Sequence, residues 1–444
     1  MTSWTMPAFL STWFARLAQY VDARIRPLFP LVFAGLLFTT DRRRTASSWF
    51  RAAGIGPEFR RAYTVIGAVG RQAPLLATAV LLEVAAVPDA RPDRLVFGLD
   101  DTPTARYGPE VEGAGLHHNP TPGPSAQPYV YGHVWVTLAR LVRHPQWGTL
   151  ALPVRAELYV RQKDVSRLPP ERSQPFRTKL EQAVELIHWL RTWLEHRGKE
   201  LWLVADGAYA KRAVLRAAKD NGVVVVSRLR KDAALRGLPA EPSAGQRGRK
   251  PTYGREVISL AKRAGHQQGW QRAAMVLYGQ AVTKTYKTFL ATWRPAGGVI
   301  RVVLVKEATG WVAFFCTKPE ATPAEILALV ADRGAIEQTF KDVKEVWGAG
   351  QQQLRNLHAN VGAWHLNLWA YTLVELWAWG QSERQLVDRS ASPWDEEPRR
   401  PSHADRRKAM RRQCLRAEYR AALSGRGQKQ KLKRLTRRLL KLVA

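Results

Sequence analysis

The stretch that most limits the fold is residues 201–229, LWLVADGAYAKRAVLRAAKDNGVVVVSRL. It reads as a strand ending at Asp206, a helix, a stop at Gly222 and a second apolar strand over 223–226. Parallel neighbours joined through a helix take a right-handed crossover, whereas antiparallel neighbours need only a turn. A chain built on such a unit is an α/β protein, and it must supply helices for both faces of the sheet.

Upstream, RLVFGLDDT is a short apolar strand ending in Asp100 and Asp101. YGHVWVTLARLV and GTLALPVRAELYV follow as two further strands, separated by the turn HPQW. Between the first and second of these strands lies EGAGLHHNPTPGPSAQP, whose proline and glycine content predicts a loop. His117 and His118 are adjacent there, so their side chains diverge, and they read as loop hydrogen-bonding groups rather than metal ligands. With a helix near 174–196, these segments give a mixed α/β sheet.

Residues from about 230 to 306 interrupt the sheet. GQRGRKPTYGRE is a basic, glycine-containing loop with Arg247, Arg249 and Lys250, and three antiparallel strands follow: TYKTFLATWRP, GVIRVVLVKE and GWVAFFCTK. ATPAEILALVADRGAIEQTFKDVKEVWG then returns to helix. At about 100° per residue, Arg333, Glu337, Lys341 and Lys344 share one side, and Ile336, Phe340, Val343 and Trp347 form an adjacent apolar stripe.

Before the sheet, residues 1–90 read as helices. Thr45 or Ser47 caps one, Gly54 and Gly56 break it, and a basic helix follows from Pro57, the outline of a helix-turn-helix DNA reader. The expected division is a helical DNA-binding domain over 1–90, sheet core over 91–229 and 311–385, a β-rich insertion over 230–310 and a basic helical tail over 386–444.

Charge narrows the partner. The chain carries 69 Lys and Arg against 37 Asp and Glu, a formal +32, and such self-repulsion implies a polyanionic partner, nucleic acid first. The cations recur along the whole chain rather than in one amphipathic segment, which argues against a membrane surface. Residues 27–38 are too short to span a bilayer and contain two prolines, and 361–379 hold His365, Asn367 and Glu375, so both read as buried helices. Two distant cysteines, Cys316 and Cys414, fit a reducing compartment and exclude a zinc finger or disulfide scaffold. The expected location is cytoplasmic, with the nucleoid. Residues 399–444 hold 17 Lys and Arg against Asp405 and Glu418. That tail reads as a solvated arm, or as a helix with Leu432, Leu435, Leu439 and Leu442 on one face that firms up on nucleic acid or a partner subunit.

An isolated carboxylate at a strand end is usually a cap or an ion-pair partner. Three of them, at one strand end, a later strand end and a following helix, are what two-metal phosphodiester chemistry needs. Asp100, Asp206 and Glu337 occupy those places in that order. Strand side chains alternate, so only one of Asp100 and Asp101 faces such a site; Asp100, on the face of Val96 and Gly98, is preferred and Asp101 is the substitute.

With these residues the chain resembles the DDE transposases of bacterial insertion sequences, in the branch with an inserted β domain before the Glu. That branch carries Tyr, two residues, Arg, three residues, Glu, six residues, Lys. Arg333, Glu337 and Lys344 match in type and spacing, and Val330 stands at the Tyr position. Asp100-Asp101-Thr102 and Asp206-Gly207 match the surroundings of the two aspartates, and the resemblance covers roughly residues 40–380. It implies an RNase H-like core and two Mg²⁺ or Mn²⁺ ions at Asp100, Asp206 and Glu337. It also implies double-stranded DNA as substrate and a homodimer pairing two transposon ends. By the same resemblance Arg333 and Lys344 hold the scissile phosphate, Lys341 being secondary, and Trp311 stacks on a flipped base, with Trp293 as competitor. The activity implied is cleavage at element ends and transfer of the freed 3′ hydroxyl into target DNA. One rival is a transposase-derived DNA-binding protein that no longer cuts. Another is a phosphate-ester hydrolase with Asp100 as nucleophile, which wants Asp-x-Asp where this chain has Thr102.

Overall fold

The computed structural model describes residues 7–119, 127–240, 250–390, 394–395, 399–424 and 427–443. Five helices come first: α1 (Ala8–Ala18), α2 (Phe29–Phe38), α3 (Ala46–Ala53), α4 (Phe59–Arg71) and α5 (Ala73–Ala85). Then follow β1 (Arg94–Ala105), β2 (Gly115–His118), β3 (Tyr129–His144), β4 (Gly148–Tyr159), α6 (Gln162–Val165), α7 (Lys179–Leu194), β5 (Glu200–Ala205), α8 (Arg212–Asp220) and β6 (Val223–Leu229). The next segment holds β7 (Leu235–Arg236), β8 (Val257–Ile258), α9 (Leu260–Gly265), β9 (Gln271–Leu277), β10 (Gln280–Trp293), β11 (Gly298–Glu307) and β12 (Gly310–Cys316). Five helices close the chain: α10 (Pro323–Glu345), α11 (Leu357–Ala378), α12 (Glu383–Leu386), α13 (His403–Leu423) and α14 (Gln428–Val443).

The described strands form one mixed sheet in the order β2-β3-β1-β5-β6-β12-β11-β10-β7-β8, with β4 on β3 and β9 on β10. The β5–α8–β6 unit is the parallel crossover that the sequence demands, and β1 joins it as a third parallel strand. Three antiparallel strands precede it, as expected. The stretch expected as loop around His117 differs: Gly115–His118 pairs with Gly132–Tyr129 as β2. Residues 129–132 of β3 run past the end of β4, and backbone groups beside an unpaired edge gain hydrogen bonds by adding a strand. His117 is thereby buried, which pushes its imidazole down to about 4 and keeps it neutral. The β-rich segment after β6 extends the sheet instead of standing apart from it, because β12 pairs with β6 over Ala313–Cys316.

Each face has its own core. On β1, Leu95, Phe97 and Leu99 pack with Leu203, Ala205 and the N-terminal helices, while Val96 packs with Trp202, Val204 and Ile336 of α10. Gly98 lies directly under α10, where a Cβ would meet the Ile336 side chain at 2.2 Å. The helices α1–α5 share the first of these cores with the sheet. Thr45 caps α3 by accepting from Ser48 N, and Gly54, at φ 74°, ends it in the left-handed region that favours glycine. The buried side of α4 lies against α11, leaving Phe59, Arg60, Arg61 and Tyr63 exposed.

α11 is the central support of the first core. Next to Pro153, Val154 is the extra residue of a bulge in the β3–β4 ladder. Side chains of α11 take up the displaced backbone groups: Trp369 Nε1 donates to Val154 O, Thr372 Oγ1 to Pro153 O, and Ala156 N donates to His365 Nε2. Buried Glu375 accepts from His403 Nδ1 and from Arg406 Nε on α13. Trp347 Nε1 donates to the other nitrogen of His403, so this imidazole is neutral with its proton on Nδ1. Arg407 of α13 donates to Leu36, Leu37 and Thr39 carbonyls at the C-terminal end of α2. Much of the basic tail is therefore docked helix, with cations satisfying buried carbonyls, rather than a solvated arm. Among the described residues no single helix is long and apolar enough to cross a membrane, though the bent pair α4–α5 would pass on length and composition together.

Candidate carboxylate site

The β1–β5 ladder aligns Gly98 with Val204 and Leu99 with Ala205, so the next residues, Asp100 and Asp206, are neighbours across two parallel strands. Residues aligned in this way point to the same face, and for Asp100 that face is the one under α10. The backbone at Asp206 is still extended (φ −64°, ψ 156°) before the chain enters a 3₁₀ turn, Gly207–Tyr209, and its Oδ2 accepts from Ala208 N at 3.0 Å. The Asp-Gly pair noticed in the sequence is thus the start of a capped turn.

α10 brings the third carboxylate. Thr322 and Glu325 form a capping box and Pro323 occupies the first turn, so the start of the helix is firmly set. Five residues before Glu337, buried Asp332 accepts from Arg91 (3.1 Å), Arg143 (3.0 Å) and Thr149 (2.5 Å), pinning α10 to the β3–β4 side of the sheet. Arg333 then points back toward β1. Its Nη1 donates to Asp100 Oδ2 at 2.6 Å and its Nη2 to Glu337 Oε1 at 3.1 Å. A single guanidinium therefore spans the first and third acids of the set.

The electrostatics follow from burial. Asp100 is only 17% exposed, and burial pushes its carboxyl up to about 6. The Arg333 charge and the Asp101 amide oppose that shift, while Asp101 and Asp206 add to it. Glu337 is 65% exposed and opens to a cleft of about 800 Å³ also lined by Tyr278, Arg399, Arg400 and Arg406. Lys344 is half-buried and donates to Thr102 Oγ1 at 2.6 Å, and burial brings its ammonium down to about 8. Lys341 is exposed on the same helix.

Asp101 takes the opposite side of β1. Lys179 Nζ donates to its Oδ2 at 2.7 Å and the Tyr209 hydroxyl to its Oδ1 at 2.9 Å. With both oxygens engaged away from α10, it is a poor substitute for Asp100. Val330, at the position expected to hold Tyr, lines a hollow of about 180 Å³ with Asp206, Arg228 and Arg333. Trp311 is half-buried on β12 with the Lys231 ammonium 5.0 Å over its ring, whereas Trp293 is buried edge-on against Phe315. Arg247 and Arg249 lie outside the described residues, and Lys250 is exposed.

Three participants escaped the sequence reading. Tyr209 stands three residues after Asp206, where only the neighbourhood of an acid hinted at a role. Lys179 opens a helix whose partner strand is far away in the chain. Tyr278, 77% exposed, tips the β9–β10 hairpin at φ 54°, and its ring reaches over Gly334 of α10, next to Arg333. A bulky residue in the left-handed region was not foreseeable from composition.

Among the described residues no three acidic, histidine or cysteine side chains converge closely enough to hold a metal ion as they stand. What converges is Asp100 beside Asp206, with Arg333 carrying the link on to Glu337. No curated protein matches the chain significantly. A family described as "DDE superfamily endonuclease" matches residues 16–296, which takes in both aspartates and ends before Glu337. That is more than half of the 444 residues, and the chain belongs to the DDE superfamily endonuclease family.

Proposed function

We propose that the protein is the DNA transposase of an insertion sequence, cutting at the element's ends and joining the freed 3′ hydroxyl to target DNA. The observation that carries the reading is the placement of Asp100 and Asp206 on adjacent strand ends, with Arg333 linking Asp100 to Glu337.

Members of the DDE superfamily typically use divalent metals, and the donor set suits them. Carboxylate oxygens are what Mg²⁺ and Mn²⁺ select, and the Arg333 guanidinium already occupies a cation's place between Asp100 and Glu337. Asp100, Asp206 and Glu337 would hold the ions. Two such ions, when bound, neutralise the scissile phosphate and lower the pKa of the attacking hydroxyl or water.

The chain's own residues supply the rest. Ionising Asp100 in its buried seat needs a compensating cation, so Arg333 holds that carboxylate in its charged form until substrate arrives. Arg333 is then free to pair with a phosphate, with bidentate geometry suited to it. Lys344 faces the end of β1, where it donates to Thr102 Oγ1, and adds a second cation on the same helix for a DNA phosphate. Lys341, Lys250, Trp311 and the exposed end of α4 provide further contacts along duplex DNA. The formal +32 supplies a salt-sensitive component of binding that does not depend on sequence. In this reading residues 1–90 select the element ends, 91–229 and 311–385 carry the chemistry, 230–310 and 386–444 grip DNA, and two copies pair the ends in the bacterial nucleoid.

The test is to incubate the protein with Mg²⁺, a supercoiled plasmid and a duplex carrying the DNA that flanks its coding region. The expected product is plasmid joined to the 3′ ends of the flanking repeats. Binding without any cut would favour the non-cleaving DNA-binding reading, for which Val330 is the motivating departure. Cutting indifferent to the flanking sequence would leave a nuclease but not a transposase.

A further inference from the structure

The ladder between β1 and β5 ends at Leu99 and Ala205, one residue before each aspartate. β1 remains paired with β3 as far as Ala105, so Asp100 is held from the β3 side, whereas Asp206 leaves the sheet at once. What reaches across from the Asp206 turn to the end of β1 is Tyr209. Its hydroxyl donates to Asp101 Oδ1 at 2.9 Å, and its side chain is almost fully buried, 2% exposed. Tyr209 N donates to Asp206 O at 2.9 Å and Asp206 Oδ2 accepts from Ala208 N, so Asp206 and Tyr209 belong to one small, internally bonded turn. On the other side Lys179, the first residue of α7, anchors Asp101 through its second oxygen at 2.7 Å.

We propose that Tyr209 is a positioning residue: through Asp101, which Lys179 anchors, it sets the separation of Asp100 and Asp206 and so the affinity of the site for a divalent cation. Asp101 is then the fulcrum on the back of β1, and the second acid of the Asp-Asp pair has a use without touching metal. Neighbouring acids repel one another, so the two ligand strands tend to spread where no ladder holds them. The Tyr209–Asp101 hydrogen bond opposes that spreading from behind. This inference rests on the reading of Asp100 and Asp206 as ligands.

The experiment is a Mn²⁺ titration of the full chain without DNA, followed by water-proton relaxation. It is paired with the Mg²⁺ dependence of cleavage. Outer-shell partners of metal ligands typically contribute about 10–100-fold in affinity, so Tyr209→Phe is expected to weaken Mn²⁺ binding by about tenfold. The rate at saturating Mg²⁺ should stay near wild type, because the ligands themselves remain. Lys179→Met is expected to behave in the same way, and Lys179→Arg, which keeps the ion pair, to restore the Mn²⁺ midpoint; this pair of variants carries the test should Tyr209→Phe not fold. Mn²⁺ affinity unchanged in Tyr209→Phe and Lys179→Met would overturn the proposal, as would a lowered saturating rate with an unmoved midpoint. Asp100→Asn separates the two levels. If it binds Mn²⁺ as well as wild type does, or if wild type binds none, the ligand assignment itself fails and the positioning role fails with it. If it loses binding while Tyr209→Phe does not, only the positioning role is overturned.

Discussion

Glu337→Gln is expected to lower Mg²⁺-dependent DNA cleavage by a factor on the order of 10²–10³, with DNA affinity unchanged or slightly tighter. The physical case rests on how little else that residue does. Glu337 is 65% exposed and its hydrogen bond is to Arg333, one turn back on the same helix. A surface pair of this kind is worth only about 0.3–0.5 kcal/mol, so the amide variant should fold and melt like the parent. Removing a negative charge beside a DNA path reduces repulsion of phosphate, which gives the sign for affinity. Gel-shift and cleavage assays on the same preparation separate the two effects. A variant that still cuts at the parental rate would remove Glu337 from the site. Asp100 is a less direct target for this readout, because it shares the Arg333 guanidinium with Glu337 in a half-buried ion pair.

Gly362→Ala is expected to be among the most destabilising small substitutions in the chain, by about 3 kcal/mol or more. At the crossing of α4 and α11 a Cβ on Gly362 would sit 1.9 Å from the Ile66 carbonyl oxygen. One on Gly70 would sit 1.8 Å from the His358 carbonyl oxygen. Both obstacles are backbone, so no rotamer change relieves them and the helices must separate. Separation is costly because α11 carries Trp364, Trp369 and Leu373, buried in the core shared by the sheet and the N-terminal helices. Thermal melts should show a drop of several degrees for Gly362→Ala, or loss of soluble protein. Gly56→Ala, where an added Cβ meets nothing within 4 Å, should melt as the parent does. Equal melting of all three would mean that the α4–α11 contact is looser than described.

Much of this was legible from residue order, for definite reasons. The short apolar runs ending at Asp100 and Asp206 read as strands, and the helical gap between Asp206 and Val223 dictated that β5 and β6 lie parallel; that β1 joins them as a third parallel strand was not legible. Strand alternation separated Asp100 from Asp101, and the structure turns Asp101 toward Lys179 and Tyr209. The i, i+4 spacing of Arg333 and Glu337 announced their ion pair, though not that Asp100 would share the same guanidinium. Partners distant in sequence were not legible. Nothing in GWVAFFCT says that it pairs with β6, so the β-rich segment read as an interruption when it extends the sheet. Nor does a run of arginines say which will be buried. Arg406 enters the core to join His403 on buried Glu375, and Arg407 to meet carbonyls at the end of α2, a helix 371 residues away in the chain. His117 lost its loop to β2 for the same reason, since an open strand edge recruits what lies near it.

The central claim is that three acids distant in the chain serve one cation-binding centre. The most direct measurement is anomalous scattering from crystals of the protein bound to an end-containing duplex and soaked in Mn²⁺. The account predicts manganese peaks bordered by Asp100, Asp206 and Glu337, with Arg333 swung from the carboxylates onto a phosphate. Manganese lodged elsewhere, or Arg333 still bridging Asp100 and Glu337 beside a bound scissile strand, would contradict it.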